Sequence, residues 1–261
     1  MFFADPEAHL TYKVANAPIA LFPFPHIFVR DVFPGDFYAE LRRHLPPPAS
    51  LKSLLELGRV GKGYPAGRTV LPLTREHIAG LDEPYRSFWL KTGEWLVAGG
   101  FGLTVLQKFG GLLAQRFQNL AAVDFYNEAL VIRDETRYAL GPHTDSPSKV
   151  LSFLFYLPAD ESRAHLGTSM YVPKEPGFTS TGAEAYHPFD RFQRLVTMPY
   201  VPNALFAFMK TPVAFHGVEP IVDENPERSL LLCDIRHGPG KPDPAPKPQP
   251  APRGASTKFS F

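Results

Sequence analysis

Apolar positions follow a helical period through much of the first half of the chain and a strand-like pattern in the second, with the change near residue 119. Pro25–Phe33 (PHIFVRDVF) is rich in β-branched and aromatic residues and reads as a strand. Pro34-Gly35-Asp36 punctuates it, and Asp36 is placed to cap a helix to about Leu45, where prolines 46 to 48 stop it. Over Glu83–Ala98, Phe88, Trp89, Thr92 and Trp95 fall near helical spacing until Gly99-Gly100. Phe101–Phe117 resumes the pattern, with Leu103, Leu106, Phe109, Leu113 and Phe117 at steps of three and four. An aromatic stripe of this kind is a core face, so these helices are expected to cover a sheet.

Beyond residue 119 the apolar runs shorten. Ala121–Arg133, Lys149–Leu157, Gly167–Val172, Arg194–Tyr200, Ala204–Lys210, Phe215–Ile221 and Arg228–Ile235 are β-rich and separated by Pro, Gly, Asp or Asn. Many short strands between turn signals predict an all-β sandwich or barrel. Lys174–Gln193 is long, glycine-punctuated and aromatic, and reads as a loop: either a cover over the barrel mouth or an excursion packed on its own rings. From Gly238 to Gly254 the chain is proline-alternating, which prevents helix and ladder pairing and predicts an extended, disordered tail. The expected organisation is therefore a supporting strand and helices over 1–118, a β core over 119–237 and a tail over 238–261.

Composition narrows the function classes. An apolar fraction of 44% in 261 residues excludes disorder over the whole chain. With 27 basic and 26 acidic residues the net charge is +1, which gives no electrostatic footprint for nucleic acid or an anionic membrane. The single cysteine, Cys233, excludes a disulfide framework and any Cys-rich metal site. No apolar run approaches the roughly 18 residues of a membrane span. MFFADPEAHL lacks a basic segment followed by an apolar stretch, so a cytoplasmic location is expected.

The chemistry is concentrated in three places. In Gly141-Pro142-His143-Thr144-Asp145, His143 and Asp145 are two apart, so on extended chain both side chains share a face and can ligate one ion. Alone, His-x-Asp is equally a turn with Asp145 as a local cap. His216, 71 residues after Asp145, follows an apolar run and by itself reads as a core histidine. Arg228, twelve residues further on, opens the apolar strand Ser229–Cys233. It sits either at an exposed strand mouth or paired with Glu224 or Glu227, since an unpaired buried charge is costly. Taken together, two His and one carboxylate on strands make the facial triad of non-haem Fe(II) oxygenases. A guanidinium on a neighbouring strand suits the distal carboxylate of a dicarboxylate.

On His143-x-Asp145, His216 and Arg228, in that order, the chain resembles the 2-oxoglutarate- and Fe(II)-dependent dioxygenases, on the side of the prolyl-4-hydroxylase-like group. The resemblance covers about residues 119–237, and Pro25–Leu45 is similar to the usual entry to that fold. It implies a mainly β protein with flanking helices and a double-stranded β-helix (jelly-roll, cupin-like) core. It implies that His143, Asp145 and His216 hold Fe(II) and that Arg228 holds the C5 carboxylate of 2-oxoglutarate. Tyr156 matches a tyrosine that in similar enzymes hydrogen-bonds the same carboxylate, and Tyr138 is a second candidate for the cofactor end. The implied reaction is hydroxylation of an unactivated C–H bond of a small molecule or an amino-acid side chain, with 2-oxoglutarate and O2 converted to succinate and CO2. Asp145 argues against the halogenating relatives, which lack that carboxylate.

Two features depart from the pattern. The His216–Arg228 gap is slightly longer than usual, which makes Arg236 a competing anchor. Leu166-Gly167-Thr168 stands where relatives often have paired glycines. His165 and His187 are read as structural. The expected partners are O2 and a small-molecule or peptide substrate, with no nucleic acid, no membrane and at most a weak homodimer. Two other classes compete: a cupin-like metal enzyme that does not use 2-oxoglutarate, which would favour a His-richer ligand set, and a non-catalytic barrel scaffold with the tail as its interaction element.

Overall fold

The computed structural model describes residues 5–238. The proline-rich stretch expected to form a tail lies, apart from Gly238, outside the described residues. The first elements are α1 (Pro6–Asn16), β1 (His26–Arg30), α2 (Gly35–Arg43), β2 (Lys52–Ser53) and β3 (Arg68–Pro72). Four helices follow: α3 (Arg75–Ala79), α4 (Tyr85–Ala98), α5 (Phe101–Lys108) and α6 (Gly110–Arg116). The remaining strands are β4 (Phe125–Asp134), β5 (Leu140–His143), β6 (Lys149–Tyr156), β7 (Thr168–Pro173), β8 (Phe192–Met198), β9 (Ala204–Met209), β10 (His216–Val218) and β11 (Arg228–His237).

These strands form two antiparallel sheets, one of seven strands in the order β1-β9-β6-β11-β4-β3-β2 and one of four in the order β5-β10-β7-β8. The sheets enclose a cavity, and helices cover the outer face of the larger one, so the architecture is the expected jelly roll. The larger sheet draws on both halves of the chain: β1 pairs with β9 and β3 with β4, so the first 118 residues complete the sheet as well as support it.

Period-two alternation decides which side chain faces what. On β11, Leu231, Cys233 and Ile235 enter the core beneath the helices, while Arg228, Leu230, Leu232, Asp234 and Arg236 line the cavity. On β6, Phe153 and Phe155 face the helices, and Ser152 and Leu154 face the cavity. The helix-side core is closed by Leu10 and Val14 of α1, Trp89 and Leu96 of α4, and Phe101 and Val105 of α5. Trp89, Phe109 and Leu113 have the core role their spacing predicts, whereas Leu103 is exposed. The stretch read as one helix over 101–117 is two, with a break at Phe109-Gly110.

Sequence patterning missed α1, β3 and β5. In α1 the buried stripe is only His9, Leu10 and Val14, too narrow to stand out, although Asp5 caps it by accepting the Glu7 N–H. The strands β3 and β5 are short, and each contains or borders proline. Among the described residues no single helix is long and apolar enough to cross a membrane.

Candidate metal centre

His143 ends β5 and His216 begins β10, and the two residues are direct cross-strand partners. Their ring centroids are 4.3 Å apart. Asp145 follows in the turn after β5, its Oδ2 3.9 Å from His216 Nε2. One ligand atom from each of the three residues falls within 4.8 Å of the others. The pairing of β5 with β10 in the small sheet thus converts a 73-residue sequence gap into side-by-side imidazoles.

Both imidazoles are oriented by their own backbone. His143 Nδ1 lies 3.0 Å from the Gly141 carbonyl and His216 Nδ1 3.0 Å from that of Ala214. A carbonyl only accepts, so each Nδ1 carries the proton and each Nε2 keeps its lone pair for a metal. Burial, then the neighbouring His216, pushes the His143 pKa down to about 3, so the ring is neutral and fit to ligate. Burial lowers His216 in the same direction. Burial alone would raise the Asp145 carboxyl pKa, but the charge of Lys149 leads the opposing interactions that lower it. Two neutral nitrogen donors and one carboxylate oxygen on a common side fit a divalent first-row metal.

A charged frame fixes Asp145. Lys149 Nζ is 3.0 Å from Asp145 Oδ1 and 3.0 Å from Asp234 Oδ2. Ser152 Oγ is 2.8 Å from both Asp145 Oδ2 and Asp234 Oδ1. Burial raises the Asp234 pKa, against the opposing charge of Lys149. Lys210, whose pKa burial lowers to about 8, donates to Thr144 Oγ1 at 2.7 Å, and Thr144 donates to the Ser180 carbonyl at 3.1 Å. The long 174–193 loop is therefore tied to the metal-binding turn. Gly182, Ala183, Glu184 and Ala185 line the cavity, so the loop covers it. Gly182 has φ +87, and a Cβ there would fall 1.9 Å from the Asp145 carbonyl oxygen.

The cavity, about 410 Å³, runs from the triad between apolar walls that include Val70, Leu130, Ile132, Leu230 and Leu232. It ends at two guanidiniums, Arg68 and Arg228. Arg228 does not pair with Glu224 or Glu227, nor does it sit at an exposed mouth. It is buried, and its partner is Asp134, directly opposite on β4. Register explains this: Glu224 and Glu227 precede the strand, whereas Asp134 shares a rung with Arg228. Arg228 Nε also donates to the Leu166 carbonyl at 2.6 Å, so the unusual Leu166-Gly167-Thr168 stretch braces this arginine. Arg236 lies toward the other end of the β11 inner face and is held by Glu128 and Ser148.

The tyrosines stand one layer back. Tyr156 is fully buried and its hydroxyl accepts the Thr168 N–H at 3.1 Å; Thr168, not Tyr156, lines the cavity. Tyr138 lies beneath Arg68, its ring 4.4 Å from the guanidinium carbon, and its hydroxyl is 3.2 Å from that of Tyr64, which does line the cavity. His165 pairs with Asp223 at 2.9 Å, and His187 packs among Phe178, Phe192 and Phe215. Neither belongs to the triad. Sequence reasoning missed Lys149, Ser152 and Arg68. Ser152 was accessible through strand alternation, but the other two needed the fold.

No family model matches the chain, and no curated protein matches it. Among solved structures, it is similar to a Pseudomonas putida prolyl-4-hydroxylase, with 16% identity, 87% of this chain and 98% of that one covered, and a TM-score of 0.49. It is also similar to SnoN, a non-haem α-ketoglutarate-dependent epimerase from nogalamycin biosynthesis, with 13% identity, coverage of 88% and 82%, and a TM-score of 0.43. A third is HygX from Streptomyces hygroscopicus with nickel and 2-oxoglutarate bound, with 13% identity, coverage of 81% and 82%, and a TM-score of 0.40.

Proposed function

We propose that this chain is an Fe(II)- and 2-oxoglutarate-dependent oxygenase that hydroxylates a C–H bond of a small molecule or an amino-acid side chain. The observation that carries this is the joining, in one cavity, of a His-Asp-His ligand set at one end and a cationic floor at the other. A scaffold protein has no use for either, and a cupin-like enzyme without 2-oxoglutarate has no use for the floor.

His143, Asp145 and His216 would hold the iron on one side, leaving its other positions facing the cavity. The bound iron and 2-oxoglutarate supply the oxidising power: with O2, the keto acid becomes succinate and CO2, and one oxygen atom enters the substrate C–H bond. The protein's own residues do the rest. Lys149 and Ser152 hold the Asp145 carboxylate in place, so its orientation is set before any ion arrives. The floor holds the distal carboxylate of the keto acid, the apolar walls keep water from its chain, and the 182–185 segment closes the cavity above Asp145.

The test is succinate formation by the purified protein supplied with Fe(II), 2-oxoglutarate and air, without a substrate to hydroxylate. Slow, iron-dependent turnover is expected, and it should be lost in His143→Ala and Asp145→Ala. Equal succinate release by these variants would remove the metal assignment, and none from the wild-type chain would remove the oxygenase.

A further inference from the structure

Arg68, Asp134 and Arg228 occupy one rung across three neighbouring strands: Asp134 on β4 is the register partner of Arg68 on β3 and of Arg228 on β11. Asp134 is fully buried and accepts from both arginines, Arg68 giving Nε at 2.6 Å and an Nη at 2.8 Å. Two guanidiniums share one carboxylate, so the rung carries one positive charge in excess at one end of the cavity.

The two arginines are not equivalent. The Arg228 side chain is 1% exposed, and its Nε and one Nη are committed to Leu166 and Asp134. The Arg68 side chain is 12% exposed, gives both of its bonded nitrogens to the single carboxylate of Asp134, and lines the cavity. Its flat face is supported by Tyr138, which fixes the plane of the fork.

From this geometry we infer that Arg68 is the residue that grips the distal carboxylate of the keto acid, with Arg228 acting through Asp134 as the buried brace that holds Arg68 in position. The inference rests on the reading of the cavity as a 2-oxoglutarate site. It differs from the assignment that the sequence motif implies, which gives the carboxylate to Arg228. It also makes the N-terminal part of the chain, through β3, a contributor to cofactor selection.

The experiment compares two keto acids of equal length, 2-oxoglutarate and 2-oxopentanoate, which differ in whether the chain ends in a carboxylate or a methyl group. Each is titrated without oxygen into Co(II)-loaded protein, followed by the visible spectrum of the metal. The wild-type chain should prefer 2-oxoglutarate by at least about 50-fold, since a charge-assisted contact outweighs an ordinary hydrogen bond. Arg68→Leu should cut that preference to less than about fivefold while 2-oxopentanoate and Co(II) affinities stay within about twofold. Arg68→Lys, which keeps the charge but loses the fork, should fall between, and it provides the test if the leucine variant does not fold. A folded Arg68→Leu that retains the wild-type preference would overturn the inference and return the carboxylate to Arg228. A wild-type chain with no preference, or no binding of either acid, would instead remove the 2-oxoglutarate reading and this assignment with it.

Discussion

The metal-binding end of the cavity takes its side chains from strand ends and the turn after β5, whereas the cationic floor takes them from a single rung across β3, β4 and β11. At the first end, orientation comes from local contacts: backbone carbonyls within two residues of each histidine, and Lys149 and Ser152 within seven residues of Asp145. At the floor it comes from strand register alone, between residues 66 and 94 positions apart. The ligand end is thus set by contacts local to each ligand. The floor is fixed by the sheet and cannot shift without breaking ladder hydrogen bonds.

That difference predicts where each end fails. The largest effect is expected at Asp134. Replacing it with alanine leaves two buried guanidiniums without their counter-charge, and losing one partner of a buried ion pair costs about 3–5 kcal/mol. Urea unfolding of metal-free Asp134→Ala should show that loss, while the Co(II) affinity of the folded fraction is unchanged. A cost below about 1 kcal/mol would mean the floor is not held by this rung.

The next effect is pH-dependent and confined to the ligand end. His143 is neutral in the folded chain down to about pH 3 but titrates near 6.5 when unfolded. Between those values the unfolded state binds the extra proton, so stability falls as pH falls. From pH 7 to pH 5 this amounts to about 2 kcal/mol for one such histidine, and His216 acts in the same direction. Asp234, with its raised pKa, works oppositely and gains stability as pH falls toward the carboxylate range. Urea midpoints of the metal-free protein should fall from pH 7 to 5, and His143→Gln should flatten that dependence. An unchanged slope in the variant would place the pH sensitivity elsewhere.

The smallest effect tests the cover. Gly182→Ala puts a Cβ against the Asp145 carbonyl at a positive φ, a backbone clash that the loop must shift to relieve. The loop should move before the sheet does, so faster amide hydrogen exchange over 180–187 is expected with a nearly unchanged unfolding midpoint. Unchanged exchange would show that the loop is not tied to the metal-binding turn.

The same contrast explains what could be read from the sequence. His143 and Asp145 were legible because two ligands on adjacent same-face positions carry their geometry in the spacing. His216 and Arg228 were legible only as members of an ordered set. The seven β-rich runs correspond to β4 and β6–β11, because short apolar runs bounded by turn residues mark strands. Lys149 was hidden because a lysine opening a strand looks like a solvated one until Asp145 and Asp234 are brought to it. Arg68 and Asp134 were hidden because register between distant strands leaves no periodic trace. Arg228 showed that something must neutralise it but not what: the nearby glutamates were the obvious partners, and the sheet supplied Asp134 instead.

The oxygenase reading requires one cavity to hold a metal ion at one end and a carboxylate at the other. The most direct test is anomalous diffraction from crystals grown without oxygen in Fe(II) and 2-oxoglutarate. An iron peak bounded by His143 Nε2, Asp145 and His216 Nε2 is expected, with the keto acid's far carboxylate at the Arg68–Arg228 floor. An iron peak elsewhere, or a keto acid lying away from both ends of the cavity, would contradict it.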